Sequence, residues 1–170
     1  ISDVTGTATF TEVVSSGTNQ ATYTFSSADI GTADAARVVV LYVGCWNDGG
    51  SALTVTGVTI GGVAATRQAQ YSGHSSGGSK QEIWSLAVAS GTSADIVVST
   101  SSAGVVCQLC QVGIWDCKDI AVTKIDSDGA NNTSTTTETN TLSCPANGVI
   151  IVGGYSIVST VSYTNVTEDY

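Results

Sequence analysis

Gly73-His74-Ser75-Ser76-Gly77 spells the G-x-S-x-G of a nucleophile elbow, a sharp strand-to-helix turn that presents a serine hydroxyl to a histidine base. Here no helical pattern follows the motif, and His74 is the sole histidine of the chain. A base beside its own nucleophile cannot easily fold back to serve it from across a pocket, so the stretch reads as a polar Gly/Ser loop. The second candidate is Cys107-x-x-Cys110, a spacing shared by zinc and redox sites. No second C-x-x-C and no histidine pair accompanies it, and it falls inside a strand-like run. These thiols therefore read as small buried hydrophobes. With Cys45, Cys117 and Cys144 the count is odd, which argues against a closed disulfide framework.

Asp126, Asp128 and Asn131, around Gly129, set oxygen ligands at alternating positions as a calcium loop does. The glycine comes too early for an EF-hand and Glu138 is the only later carboxylate nearby, so the three remain the metal candidates of a loop otherwise read as solvated. Asn131, Asn132 and Asn165 fall in N-x-S/T sequons that a Thr-rich chain generates by chance. Trp46, Trp84 and Trp115 are spaced as strand residues and read as core, with a sugar-stacking platform as the alternative. No paired carboxylates stand in an apolar setting, and no catalytic or cofactor-binding residue is assigned.

The elements that would carry these residues are strands. In VTIGGVAAT (58–66), Gly61-Gly62 supplies the positive φ angles of a two-residue hairpin turn. Just before it the apolar parity slips, from Leu53 and Val55 to Val58 and Ile60, and a β-bulge at Gly57 absorbs the slip. The second arm is expected to run on through Val63, Ala65, Ala69 and Tyr71, with Arg67 needing a partner or an exposed edge. Residues 4–14 alternate as a half-buried strand, with Val4, Gly6, Ala8 and Phe10 on one side. Residues 26–36 break the pattern and serve as a connection between sheets, with Ser27 as a possible cap of one helical turn. Residues 37–46 (RVVVLYVGCW) and 148–155 (GVIIVGGY) are apolar enough to be central strands covered on both faces. Trp84, Leu86 and Val88 share one face of another strand. Between residues 105 and 116, Gln108 and Gln111 stand three apart, which implies a bulge near Cys110 or burial on both sides. About ten short strands with little or no helix predict an all-β fold, an antiparallel, jelly-roll-like β-sandwich over residues 1–170 as one domain.

Composition bounds the partners. Five basic residues against 14 acidic ones give a net charge of −9, and without a basic run the chain cannot neutralise successive phosphates or an anionic membrane surface. Nucleic acid and membrane are excluded as expected partners, and a basic protein surface suits the chain better. No stretch of 18 apolar residues is present.

Taken in order, TYTFSSADIGTADAARVVVLYVG, VTGVTIGGVAAT, EIWSLAVASGTSADIVVSTSS and VGIWDCKD resemble a β-sandwich module that recurs in structural proteins of tailed bacteriophages. The resemblance spans residues 23 to about 155 and implies a non-enzymatic virion protein, of the capsid decoration, cement or head-fibre kind. It also implies assembly in the host cytoplasm, a place on the virion exterior as a homo-oligomer against the major capsid protein or a neighbour, and no cofactor. The alternative is a receptor- or glycan-binding domain of a tail fibre or surface adhesin, placed on the extracellular surface. Modules of this kind continue past a segment like 161–170, so further C-terminal strands, or strands supplied by a partner, are expected.

Overall fold

The structure, a computed structural model, describes residues 6–48, 52–72, 78–102, 104–120 and 149–151. These form nine strands: β1 (Thr7–Ser16), β2 (Thr22–Asp29), β3 (Arg37–Trp46), β4 (Leu53–Ile60), β5 (Val63–Ala64), β6 (Thr66–Tyr71), β7 (Ser79–Ala87), β8 (Ser93–Ser102) and β9 (Leu109–Lys118). A five-stranded sheet ordered β1-β9-β3-β7-β6 packs against a four-stranded sheet ordered β2-β8-β4-β5. Every pairing is antiparallel. With β6 set aside, β1-β9-β3-β7 faces β2-β8-β4-β5, two interlocked Greek keys that make the predicted jelly-roll sandwich. No helix occurs among the described residues.

The first core lies between the sheets. Val39, Leu41, Val43, Val112 and Ile114 of the larger sheet meet Tyr23, Val55, Val58, Ile60, Ile96 and Val98 of the smaller one. Those side chains follow from period-2 alternation, since one face of each strand must leave water. A second apolar cluster covers the outer face of the larger sheet. It holds Val38, Val40, Tyr42, Trp115 and Cys117, with Phe10, Ile83, Ile120 and Ile151 packed on them. β3 is thus covered on both faces, as its unbroken apolar run predicts. Two glycines shape this outer cluster: a Cβ at Gly113 would stand 3.0 Å from the Trp115 ring, and one at Gly44 would stand 3.2 Å from the Tyr42 hydroxyl oxygen. The smaller sheet's outer face instead carries exposed Thr22, Thr24, Thr54 and Thr56.

Gly61 and Gly62 take φ of 57° and 81° and join Ile60 to Val63, so the glycine pair makes the two-residue turn the sequence predicts. The register of β4 on β8 shifts between Val55 and Gly57, and Leu53, Val55, Val58 and Ile60 all reach the core across that shift.

Three expectations need correction, and a fourth resolves to one of its two branches. The second hairpin arm is only Val63–Ala64; at Ala65, whose N–H donates to Val58 O (2.9 Å), the chain leaves for the other sheet and begins β6. Periodicity cannot reveal this, because a strand looks alike in either sheet. In β1, surplus Thr11 moves Phe10 onto the outer cluster and Val14 onto the inner one, so the expected single apolar side is two. Residues 26–29 are strand and not connection: a bulge holding Ser27 at φ 54° carries β2 on to Asp29. Near Cys110 no bulge occurs, since β9 pairs with β3 without a break from Lys118 to Leu109, and burial on both sides is the branch realised. The segments 121–148 and 152–170, including the expected central strand at 148–155, lie outside the described residues apart from 149–151.

All four register shifts put the surplus residue on β1, β2, β4 or β6. Among the described residues β1, β2 and β6 are edge strands, and β4 is an edge wherever two-residue β5 does not cover it. A bulged edge is twisted away from pairing with another strand.

Candidate functional site

The residues singled out for hydrolase chemistry, His74 and Ser75, lie outside the described residues, as do the calcium candidates Asp126, Asp128 and Asn131, the sequon Asn132 and Asn165, and Cys144. Among the described residues, three of the side-chain groupings that the fold brings together bear on chemistry.

The first is at the start of β3. Arg37 is buried, and its guanidinium spends all its donors on main-chain carbonyls: Nε on Val88 O (2.7 Å), Nη1 on Ile30 O (3.3 Å) and Gly31 O (3.0 Å), Nη2 on Ser90 O and Gly91 O (2.8 Å each). The planar fork matches carbonyls converging from two turns, whose glycines take φ of 82° at Gly31 and 76° at Gly91. Buried Asp116 holds the first turn from the other side: its Oδ2 accepts from Thr32 N (3.0 Å) and pairs with Lys118 Nζ (3.0 Å). A Cβ at Gly31 would run into that carboxylate, so the approach requires glycine.

The second place joins edge strand β6 to β7. The Glu82 side chain is fully buried; Oε2 accepts from the Trp84 indole (2.8 Å) and Oε1 lies 3.5 Å from Arg67 Nη1. The Arg67 guanidinium sits 5.8 Å over the Trp84 ring, and surplus residue Gln68 donates to Ser85 Oγ (2.9 Å). Arg67 therefore has both the partner and the exposed edge its position called for. Burial raises the Glu82 carboxyl above the usual carboxylate range, against the opposing pull of Arg67, the indole and Lys80.

The third is a thiol cluster in the inner core. Cys45 on β3 stands directly opposite Cys110 on β9, with sulfurs 3.7 Å apart, and Cys107 adjoins them just before β9. The Tyr23 hydroxyl closes this end, its single O–H proton shared between Cys107 O (2.8 Å) and Thr18 O (2.9 Å). For Cys45 the hydrogen bond with Cys107 favours the thiolate, but the one with Cys110 together with burial reverses this, and the thiol ends well above its ordinary range. The hydrogen bond with Cys45, and then burial, push Cys107 up as well. Cys117, in the outer cluster, is pushed up to about 12 by burial, helped by the Asp116 charge. Thiols held protonated are poor nucleophiles and poor metal ligands. Both cysteines of the C-x-x-C are buried in the inner core, and no group of three or more His, Cys, Asp or Glu among the described residues is arranged to hold a metal ion.

Trp84 and Trp115 are each 7% exposed and belong to the two cores, while Trp46, at the end of β3, is partly buried. Sequence reasoning missed Arg37 and Glu82. A signal existed for each: Arg37 opens a run that must be buried on both faces, and Glu82 shares the parity of Trp84, Leu86 and Val88. Among the described residues no helix is long and apolar enough to cross a membrane. Compared with family models, with curated proteins and with solved structures, the chain finds no match.

Proposed function

We propose that this chain is a non-enzymatic structural protein of a tailed-bacteriophage particle, a capsid decoration or cement protein or a head-fibre protein. The observation that carries the reading is the use made of buried polarity. Arg37 and Asp116 fasten the turns at one end of the sandwich, and Glu82 with Arg67 fastens an edge strand. Polar groups spent on holding loops and edges still suit a permanent exterior part, whose worth is shape and adhesion. The ordered sequence resemblance and the jelly-roll strand order point the same way.

Charge supports a docking direction. Arg37, Arg67, Lys80 and Lys118, the basic residues among those described, all lie on strands of the larger sheet, whereas the smaller sheet's strands carry Asp29 and Asp95 and no Lys or Arg. The larger sheet's strands also carry Glu12, Glu82 and Asp116, so their charges nearly cancel, and the smaller sheet, acidic without a base, would meet a basic patch of the major shell protein, repeated by the particle's symmetry as a homo-oligomeric array. Burial of Trp84 and Trp115 in the cores leaves only half-buried Trp46 of the three tryptophans to offer a face to a sugar, which counts against a glycan-binding fibre domain. The test is density-gradient sedimentation of a lysate probed with antiserum to the chain. Co-sedimentation with intact particles that survives high salt and detergent washing is expected; recovery of the protein only at the top of the gradient refutes the reading.

A further inference from the structure

We propose that Cys45 and Cys110 are a latent disulfide, a redox-sensitive lock between β3, the central strand of the larger sheet, and its neighbour β9. β3 and β9 pair continuously from Arg37↔Lys118 to Trp46↔Leu109, which puts Cys45 squarely across from Cys110. Directly opposed residues of an antiparallel pair have Cα atoms about 4.5–5.5 Å apart, within the roughly 4.4–6.8 Å that a disulfide spans. The sulfurs, at 3.7 Å, already face each other in the inner core. Bond formation needs rotation about the two Cα–Cβ bonds and no change of register. Cys107 is the competing partner. Its sulfur also reaches Cys45, but it lies before β9, outside the strand pairing that sets Cys45 and Cys110 face to face, and it donates to Leu109 O at 3.2 Å, so the bond is assigned to Cys45 and Cys110.

The oxidant is a peroxide. One thiol, as thiolate, attacks a peroxide oxygen; the O–O bond breaks, a sulfenic acid forms and the departing hydroxide takes up the proton as water. The second sulfur then displaces the sulfenic hydroxyl as a further water and the S–S bond closes. Two thiols give up two electrons and two protons, and one hydrogen peroxide becomes two waters. All three cysteines are at most 3% exposed, so the attacking thiol ionises and meets peroxide only when the sheet end opens, and the closed protein stays reduced. The cross-link ties together residues 65 apart in sequence, a long loop whose closure removes much unfolded-state entropy.

The experiment treats the full chain with hydrogen peroxide, alkylates it in denaturant and maps the unreduced peptides by mass spectrometry, with a thermal melt alongside. A single linked peptide pair carrying Cys45 and Cys110 is expected. Tm should rise by roughly 10 °C, and dithiothreitol should reverse both changes. Cys117→Ser should leave the link intact, and Cys110→Ala should abolish it. Since the wild-type map alone decides the matter, a poorly folding variant does not rescue or sink it. Full alkylation of every thiol, oxidation to sulfinic acid without a link, or a dominant link to Cys107 or any other cysteine overturns the proposal.

Discussion

Replacing Arg37 by lysine, methionine or alanine should remove most of the order at one end of the sandwich. The wild-type guanidinium makes five hydrogen bonds of 2.7–3.3 Å to the carbonyls of Ile30, Gly31, Val88, Ser90 and Gly91 from a site 1% exposed. Hydrogen bonds to a charged group contribute about 1.5–3 kcal/mol each, yet a simple sum overshoots. Burying the cation itself costs several kcal/mol, and carbonyls on turns can turn to water once released. The net loss for Arg37→Ala should then be about 3–5 kcal/mol, a large share of the roughly 5–15 kcal/mol typical of a domain. Lysine keeps the charge but offers three donors, so at least two carbonyls lose their partner and the loss should be about 2–3 kcal/mol. Methionine keeps much of the volume without any donor and should resemble alanine. Urea unfolding midpoints at constant m-value give these differences, and hydrogen exchange at residues 30–32 and 88–92 should rise in step. A change below about 1 kcal/mol for Arg37→Ala, or equal losses for lysine and methionine, would refute the claim that the guanidinium fork holds the turns.

Gly113→Ala puts a Cβ 3.0 Å from the Trp115 ring and should cost about 1–3 kcal/mol; with Trp115→Phe added, the double variant should lose less than the sum of the two. For Glu82 the folded pKa is raised above the unfolded one, so its contribution is fully present below the unfolded carboxyl pKa of about 4.3 and is lost as pH rises through the folded value. Glu82→Gln should flatten that decline, leaving the variant at least as stable as wild type at neutral pH; thermal melts from pH 4 to 8 that stay parallel for the two proteins would contradict this.

The parts of the fold legible in the sequence are those where side-chain parity meets a conformational requirement. Gly61-Gly62 had to turn, Gly57 had to absorb a slip between two sets of core residues, and residues 37–46, without a polar face, had to be central. The illegible parts are those where local pattern is silent about partners. Ala65 ends one sheet pairing and opens another without any change in composition. The bulge at Gln68 lies among half-exposed edge residues, where no run of core side chains marks the parity change. Thr11 does flip apolar residues, but both of its faces are partly covered, so Phe10 and Val14 each find a cluster and the slip hides. Arg37 and Glu82 are hard to see because much of their meaning is tertiary: the Val88, Ser90 and Gly91 carbonyls around the one and the β6 guanidinium beside the other come from other segments.

Absolute quantification of this chain against the major shell protein, by isotope-labelled peptides in washed, gradient-purified particles, tests the structural reading most directly. The account predicts one copy per shell subunit, or a fixed simple fraction of that number, unchanged between preparations. A trace, variable ratio, or absence from particles while the chain is abundant in the lysate, would contradict it.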